Sequence, residues 1–223
     1  MLKRMRASDT GNLQTYLESR TEEIDSEIIV RVSAILQDVK TRRDDAVREY
    51  TQQFDGILLD SMRVEPSDIE VAAAKADPFF VESMKKAKAN IEYYHNAQKQ
   101  NGYLLQKELG IYLGQRVLPL DSVGIYVPGG RAQYPSSVLM NAIPARIAGV
   151  KRIVMITPPA KDGSLHPNIA AAAQIAGVDE IYKVGGAQGI EALAYGTQSI
   201  APVDKIVGPG NVYVAAAMQL VFG

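Results

Sequence analysis

The spacing of apolar residues predicts helices over most of the first hundred residues. Between residues 22 and 54, apolar side chains recur every three or four positions, which predicts one long amphipathic helix. Gly56 ends that pattern, residues 57–64 indicate a short extended segment, and Pro66 can begin another helix. A further helix is predicted for residues 78–100. The first part of the chain is therefore expected to be mainly helical.

After residue 100 the pattern of apolar and polar residues changes. Apolar and polar residues alternate over residues 103–120, which predicts extended strands. We interpret these strands as a connection between two units. Beyond Leu120, short apolar strands end in glycine or proline and are followed by alanine-rich helical stretches. The predicted strands are residues 123–127, 152–157, 180–184 and 205–207, and the predicted helices are residues 136–149, 166–177, 188–196 and 211–222.

This alternation predicts the fold class. Short strands separated by helical crossovers are typical of a mainly parallel sheet covered by helices on both faces, the α/β, Rossmann-like, doubly wound architecture. We expect two units: residues 1–120, a helical amino-terminal region with part of a first α/β domain, and residues 121–223, a Rossmann-like domain. Pro144 is expected to kink or break its helix, because proline removes a backbone donor.

Composition and charge exclude several functions. Hydrophobic residues make up 47% of the chain and charged residues 22%, as in ordinary globular proteins. The 24 Lys plus Arg nearly cancel the 25 Asp plus Glu, so we expect no nucleic-acid partner. No stretch is long and apolar enough to predict a membrane span or a signal peptide.

Few residues suit metal binding or acid-base chemistry. The chain contains no cysteine, which excludes thiolate ligands and a cysteine nucleophile. His95 is predicted to be a helix residue and His166 a turn residue, and neither belongs to a recognisable ligand pair. We therefore predict no catalytic residue and no metal ligand in this chain.

Glycine-rich loops at the strand ends are the best candidate for a binding site. Ligands of open parallel sheets bind outside the carboxyl ends of the strands, where glycines let the backbone approach and helix amino termini accept anions such as pyrophosphate. No loop matches G-x-G-x-x-G, because Tyr213 occupies the third glycine position after Gly208 and Gly210. The pattern is equally typical of tight turns. The loops are Pro128-Gly129-Gly130, Pro158-Pro159, Gly185-Gly186-Ala187-Gln188-Gly189 and Gly208-Pro209-Gly210-Asn211.

Long segments of the chain resemble the histidinol dehydrogenase family. They are VGIYVPGGRAQYPSSVLMNAIPARIAGV from Val123, DEIYKVGGAQGIEALAYGT from Asp179 and VDKIVGPGNVYVAAA from Val203, with a looser match in TRRDDAVREYTQQFDG from Thr41. The resemblance covers the second unit almost continuously. Long matches in the same order are far more specific than any single glycine motif.

The resemblance implies an activity and its cofactors. It implies NAD-dependent oxidation of L-histidinol to L-histidine through the aldehyde, the last step of histidine biosynthesis, by a cytoplasmic homodimer that also binds zinc. It further implies that Tyr126 in GIYVPGG, Gln188 in GGAQ and Asn211 in GPGN contact NAD. Asn211 also stands where a helix cap is expected, so a capping role alone remains open.

The resemblance also implies that much of the chemistry lies elsewhere. In the family, the catalytic glutamate and histidine and the zinc-binding glutamine, histidines and aspartate lie beyond the matched region. We therefore expect a fragment, or the product of a degenerate gene, without dehydrogenase activity by itself. Two alternatives remain: a related dehydrogenase of another small alcohol such as a sulfonated diol, and a non-catalytic nucleotide-binding module. Uncovered apolar surface is expected to favour self-association.

Overall fold

The computed structural model describes residues 10–18, 24–129 and 133–222. Five helices precede a two-stranded hairpin in the described part, and strands then alternate with helices. The helices are α1 (Thr10–Glu18), α2 (Ser26–Arg42), α3 (Asp44–Asp55), α4 (Pro66–Ala73) and α5 (Pro78–Ala97), and the hairpin comprises β1 (Tyr103–Glu108) and β2 (Ile111–Gln115). The remaining elements are β3 (Ser122–Tyr126), α6 (Pro135–Ala148), β4 (Arg152–Ile156), α7 (Pro167–Ala176), β5 (Glu180–Tyr182), α8 (Gly186–Tyr195), β6 (Lys205–Val207) and α9 (Val212–Leu220).

The predicted α/β class is confirmed. β3 to β6 form a parallel four-stranded sheet in the order β5-β4-β3-β6. One apolar core contains residues of α6 and α7, and the other contains residues of α8 and α9. The sheet is therefore covered on both faces, which defines a doubly wound fold.

The amino-terminal helices contribute to both cores. Val32 and Leu36 of α2 are buried with residues of α8 and α9, whereas Ala73 of α4 is buried with residues of α6 and α7. The boundary that we propose near Leu120 therefore separates two units that share their hydrophobic cores. No helix in the described ranges is long and apolar enough to cross a membrane.

The prediction of one long helix over residues 22–54 is wrong, because the helix is interrupted at Arg43. Arg43 has a φ of 56° and separates α2 from α3. Its Nη1 donates hydrogen bonds to the carbonyl oxygens of Tyr195 (3.2 Å) and Gly196 (2.7 Å), at the carboxyl end of α8. Contacts with residues that are distant in sequence thus stabilise the break between α2 and α3, which the periodicity does not predict. The local signal is charge: Arg42 ends α2 and Asp44 begins α3, each favourable for its helix dipole.

Smaller differences concern Pro144 and the segment before α4. α6 is not broken but runs continuously through Pro144. Pro144 has no backbone N–H, so only the carbonyl oxygen of Met140 lacks its helical hydrogen bond. Met140 is exposed, and water can donate to that oxygen instead. The extended segment predicted for residues 57–64 pairs with the sheet edge, since Val64 N donates to Ile181 O at 2.9 Å and Lys183 N donates to Met62 O at 2.8 Å.

Candidate functional site

The order of the strands creates a crevice at one edge of the sheet. β4 pairs with one side of β3 and β6 with the other, so the loops that follow β3 and β6 diverge. Open α/β sheets bind ligands at such a switch point. A cavity of about 1150 Å³ lies there. It exceeds the range of about 300–1,000 Å³ that is usual for small-molecule sites.

The cavity brings together all three residues that the sequence predicts as cofactor contacts, Tyr126, Gln188 and Asn211. They come from the end of β3, the first turn of α8 and the residue that caps α9. Their convergence follows from the topology, because the carboxyl ends of parallel strands share one edge of the sheet.

Tyr126 presents a buried phenol to this cavity. It is only 4% exposed. Burial raises the pKa of its hydroxyl, and the negative charge of Asp55 raises that pKa further, whereas a hydrogen bond with the backbone of Gly186 acts in the opposite direction. The phenol is therefore neutral at physiological pH and retains a proton that it can donate.

Gln188 is fully buried, yet its amide has no partner. Neither Nε2 nor Oε1 accepts or donates a hydrogen bond within the described residues. An unsatisfied buried polar group costs about 1–3 kcal/mol. The amide lies against Gly186, where φ is +61° and a Cβ atom would collide with Gln188 Oε1. The missing Cβ of Gly186 thus makes room for a buried amide that forms no hydrogen bond within the described residues.

Asn211 caps α9. Its Oδ1 accepts hydrogen bonds from the backbone amides of Tyr213 (3.0 Å) and Val214 (3.1 Å). The capping role is therefore present, and it uses only the oxygen of the side chain. Asn211 also lines the cavity. Just before it, Gly208 has a φ of 133° and packs so tightly on Tyr126 that a Cβ would collide with the Tyr126 carbonyl oxygen.

Sequence reasoning missed the wall that the amino-terminal helices supply. Tyr50 and Phe54 of α3 line the cavity, with ring centroids 5.6 Å apart in a stacked arrangement. Asp55 lies beside them, and burial raises the pKa of its carboxyl group. The sequence prediction places these residues in a separate helical unit. The signal was present, because all three lie within the segment from Thr41 that resembles the family.

Other predicted features lie away from the cavity or outside the described residues. Gly129 lines the cavity, but Gly130 of the same loop lies outside the described residues. His95 Nδ1 lies 2.7 Å from Gln98 Oε1, and His166 caps α7 by accepting from the amide of Asn168 at 3.2 Å. Within the described ranges, no three His, Cys, Asp or Glu residues are grouped closely enough to hold a metal ion.

The fold and this cavity define a class of protein, the Rossmann-like α/β proteins with a ligand cavity at the switch point of the sheet. The comparisons narrow the class to one family. The family model for histidinol dehydrogenase matches residues 18–223. A histidinol dehydrogenase of Listeria monocytogenes is 57% identical over 223 residues, and one of Bacillus subtilis is 48% identical over 222 residues. The chain belongs to the histidinol dehydrogenase family.

The matches concern one part of the relatives. Each alignment includes 100% of this chain but only 49% of the Listeria protein and 51% of the Bacillus protein. The crystal structure of histidinol dehydrogenase from Elizabethkingia anophelis superimposes with a TM-score of 0.84 at 37% identity, and the match covers 90% of this chain and 46% of that chain. The chain thus spans about half the length of the proteins it matches.

Proposed function

We propose that the cavity is an NAD site and that this chain is the cofactor-binding part of an enzyme that oxidises L-histidinol to L-histidine. The observation that supports this most directly is the unpaired amide of Gln188 at the cavity. Buried polar groups are normally hydrogen-bonded, and an exception is expected where a ligand completes the pairing. When bound, NAD supplies a hydride acceptor.

The surrounding residues fit a dinucleotide. Gln188 offers its Nε2 hydrogens and its Oε1 acceptor to an amide or hydroxyl group, and Asn211 offers its Nδ2 hydrogens. Tyr126 and the stacked pair Tyr50 and Phe54 offer apolar ring surface to a planar base. The amino termini of α8 and α9 begin at the cavity and favour negatively charged groups such as phosphates.

The oxidation itself belongs to the whole protein. By the resemblance, the catalytic glutamate and histidine and the zinc ligands lie outside the matched region, so the role of this chain is to bind and orient the cofactor. We propose that the whole protein is a cytoplasmic, zinc-containing homodimer, and that this chain by itself binds NAD without turning over L-histidinol.

Calorimetric titration of NAD tests the site directly. The unchanged chain should bind NAD, and Gln188→Met should weaken binding about tenfold or more, the loss of one to two hydrogen bonds. The same variant should raise the free energy of unfolding by about 1–3 kcal/mol, because it removes an unsatisfied buried amide. Gln219→Met, on the exposed far end of α9, is the matched control and should change neither quantity.

Each other outcome contradicts the proposal. If the unchanged chain binds no NAD, the cavity is not a cofactor site on this part of the protein. If Gln188→Met destabilises the chain and leaves NAD affinity unchanged, the amide has only a structural role. NADH formation by the whole protein then decides the substrate: turnover of a sulfonated diol but not of L-histidinol would favour the related dehydrogenase, and turnover of neither would favour a binding module.

A further inference from the structure

Arg43 has a backbone conformation that glycine adopts with less strain. Its φ is 56° and its ψ is −125°, and within the described ranges it is the only residue other than glycine with a positive φ. A Cβ atom at such a position crowds the neighbouring peptide groups. Replacement by glycine would relieve that strain. The presence of arginine therefore points to a use for its side chain.

The side chain helps to fasten the break between α2 and α3 to the turn after α8. Arg43 donates its two hydrogen bonds to carbonyl oxygens at the carboxyl end of α8. The amide of Asp44 donates to Gln198 Oε1 at 3.0 Å, and the buried Asp44 carboxylate accepts from the amide of Ser199 at 3.3 Å and from the Ser199 hydroxyl. We call these five hydrogen bonds, made by Arg43 and Asp44, the corner clamp.

A buried charge supports the same contact. Glu191 of α8 is only 2% exposed. Burial raises the pKa of its carboxyl group, whereas the positive charges of Lys40 and Arg43 lower that pKa. Lys40 also lies over the ring of Tyr195, with Nζ 4.8 Å from the ring centroid. Charge and hydrogen bonding therefore both hold the start of α3 against the end of α8.

The corner clamp and the cavity lie at opposite ends of one pair of helices. α3 packs against α8, begins at the clamp and ends with Phe54 at the cavity, whereas α8 begins with Gln188 at the cavity and ends at the clamp. At 1.5 Å per residue, Phe54 lies about 15 Å from Asp44, and Gln188 about 10 Å from Tyr195. Neither residue that makes the clamp lines the cavity.

The cavity end of α3 has little packing of its own. The buried residues of α3 all lie between Asp44 and Thr51, and Phe54 is 53% exposed. The position of the last turn therefore depends on how the start of the helix is fixed. Over a length of about 15 Å, a tilt of about 10° would move Phe54 by about 2–3 Å. Such a movement would break its contact with a bound ligand, because atoms in contact lie within about 4 Å of each other.

The turn that the clamp contacts also leads to the third element of the site. Its own hydrogen bonds close it, since Thr197 N donates to Ile200 O at 2.8 Å and Ile200 N donates to Thr197 Oγ1 at 3.1 Å. β6 follows this turn, and the loop after β6 carries Asn211 to the cavity. The elements that carry Phe54, Gln188 and Asn211 are therefore connected at the clamp.

We propose that Arg43 and Asp44 are positioning residues of the ligand site, which hold the aromatic wall of α3 at a fixed distance from the loops of the sheet without touching the ligand. The inference rests on the proposed function, because it concerns the same cavity. It accounts for an arginine in a backbone conformation that favours glycine. A cavity whose walls are fixed beforehand loses less conformational freedom on binding, which raises affinity.

Calorimetric titration of NAD compares three variants. Arg43→Gly removes the side chain but relieves the backbone strain, so the fold should be retained while the dissociation constant for NAD rises about three- to tenfold. Arg43→Lys keeps the charge beside Glu191 without the planar fork of donors, and it should weaken NAD binding less. Urea unfolding of each variant measures stability in parallel.

Arg146→Ala is the matched control. Arg146 also donates to backbone carbonyl oxygens, in the turn after α6 and at the end of α7, on the other face of the sheet. The variant should therefore lower stability and leave NAD affinity unchanged. An equal loss of NAD affinity in Arg146→Ala and Arg43→Gly would show that both act through stability alone, and it would overturn the inference.

Distances between spin labels test the geometry without NAD. The chain has no cysteine, so Gln52→Cys on α3 and Gln219→Cys on α9, both exposed, are unique attachment points. Pulsed electron resonance should give one narrow distance distribution in the unchanged background. Arg43→Gly should broaden that distribution or shift it by about 2–3 Å.

The outcomes separate this inference from the proposed function. An unaltered distance distribution in Arg43→Gly, or an NAD affinity equal to that of the unchanged chain, would overturn the positioning role alone. Absence of NAD binding by the unchanged chain would overturn the proposed function and the positioning role with it.

Discussion

At the scale of single residues, Asn211 caps a helix, and we propose that it also contacts the ligand. Its Oδ1 accepts from two amides of α9, which any capping oxygen could do, and in our proposal its Nδ2 donates to the ligand. The two roles use different atoms. Substitution can therefore separate them, and the separation decides between a cofactor contact and a helix cap.

A series at Asn211 makes that separation. Asn211→Ala should lower the free energy of unfolding by about 1 kcal/mol, because it removes the cap. Asn211→Ser retains a capping oxygen and should restore most of that stability. Both variants lack Nδ2 and should bind NAD about tenfold more weakly by calorimetry, the effect of one hydrogen bond. If Asn211→Ser binds NAD as the unchanged chain does, Asn211 is only a cap.

At the scale of elements, the sequence predicted strands and helices well where the pattern is locally repetitive. The four strands of the parallel sheet and their crossover helices lie within one or two residues of their predicted bounds. The failure at Arg43 has a different origin. Its carbonyl partners, Tyr195 and Gly196, lie about 150 residues away, and periodicity within a window of 18 residues carries no information about them.

The same limit explains the candidate site. Tyr126, Gln188 and Asn211 could be predicted, because each follows a strand of the sheet and each lies in a segment that resembles the family. The wall formed by Tyr50, Phe54 and Asp55 could not be placed, because its position depends on how α3 packs against α8. The family resemblance includes the segment from Thr41, but only the tertiary structure places that segment in the wall of the cavity.

Also at this scale, Arg152 of β4 and Glu180 of β5 join two strands and should make stability depend on pH. Arg152 Nε donates to Glu180 Oε1 at 2.6 Å, and Arg152 Nη1 donates to the carbonyl oxygen of Pro202 at 2.9 Å. The hydrogen bond from Arg152 lowers the pKa of Glu180, burial opposes that shift, and a hydrogen bond from Tyr182 supports it. The folded state therefore holds this carboxylate in its ionised form.

The sign of the pH dependence follows from that shift. A carboxyl group whose pKa is lower in the folded state stabilises the fold above its ordinary pKa of 4.5, and the contribution is lost as the pH falls through the folded value. Glu180→Gln should thus lower the free energy of unfolding by about 1–2 kcal/mol at neutral pH. The difference between the variant and the unchanged chain should become smaller as the pH falls to about 3. Urea unfolding at several pH values measures it, with exposed Glu70→Gln as the control. A difference that stays constant with pH would contradict the assignment.

At the scale of the whole molecule, the shared cores decide how the chain should unfold. Residues of α2 and α4 are buried with residues from both faces of the sheet, although all of them precede the proposed boundary near Leu120. When two units share their hydrophobic cores, one unit cannot unfold without exposing apolar core residues of the other unit. The boundary near Leu120 then separates two parts of the sequence, but these parts do not fold independently.

One calorimetric experiment tests this together with ligand binding. The chain should unfold in a single transition whose calorimetric and van't Hoff enthalpies agree. NAD at a hundred times its dissociation constant should stabilise that one transition by about 2.7 kcal/mol, because the ligand binds only the folded state. Since the cavity is lined by both α3 and the loops after β3 and β6, the whole transition should shift. Two transitions, of which NAD moves only one, would show that residues 1–120 and 121–223 fold separately.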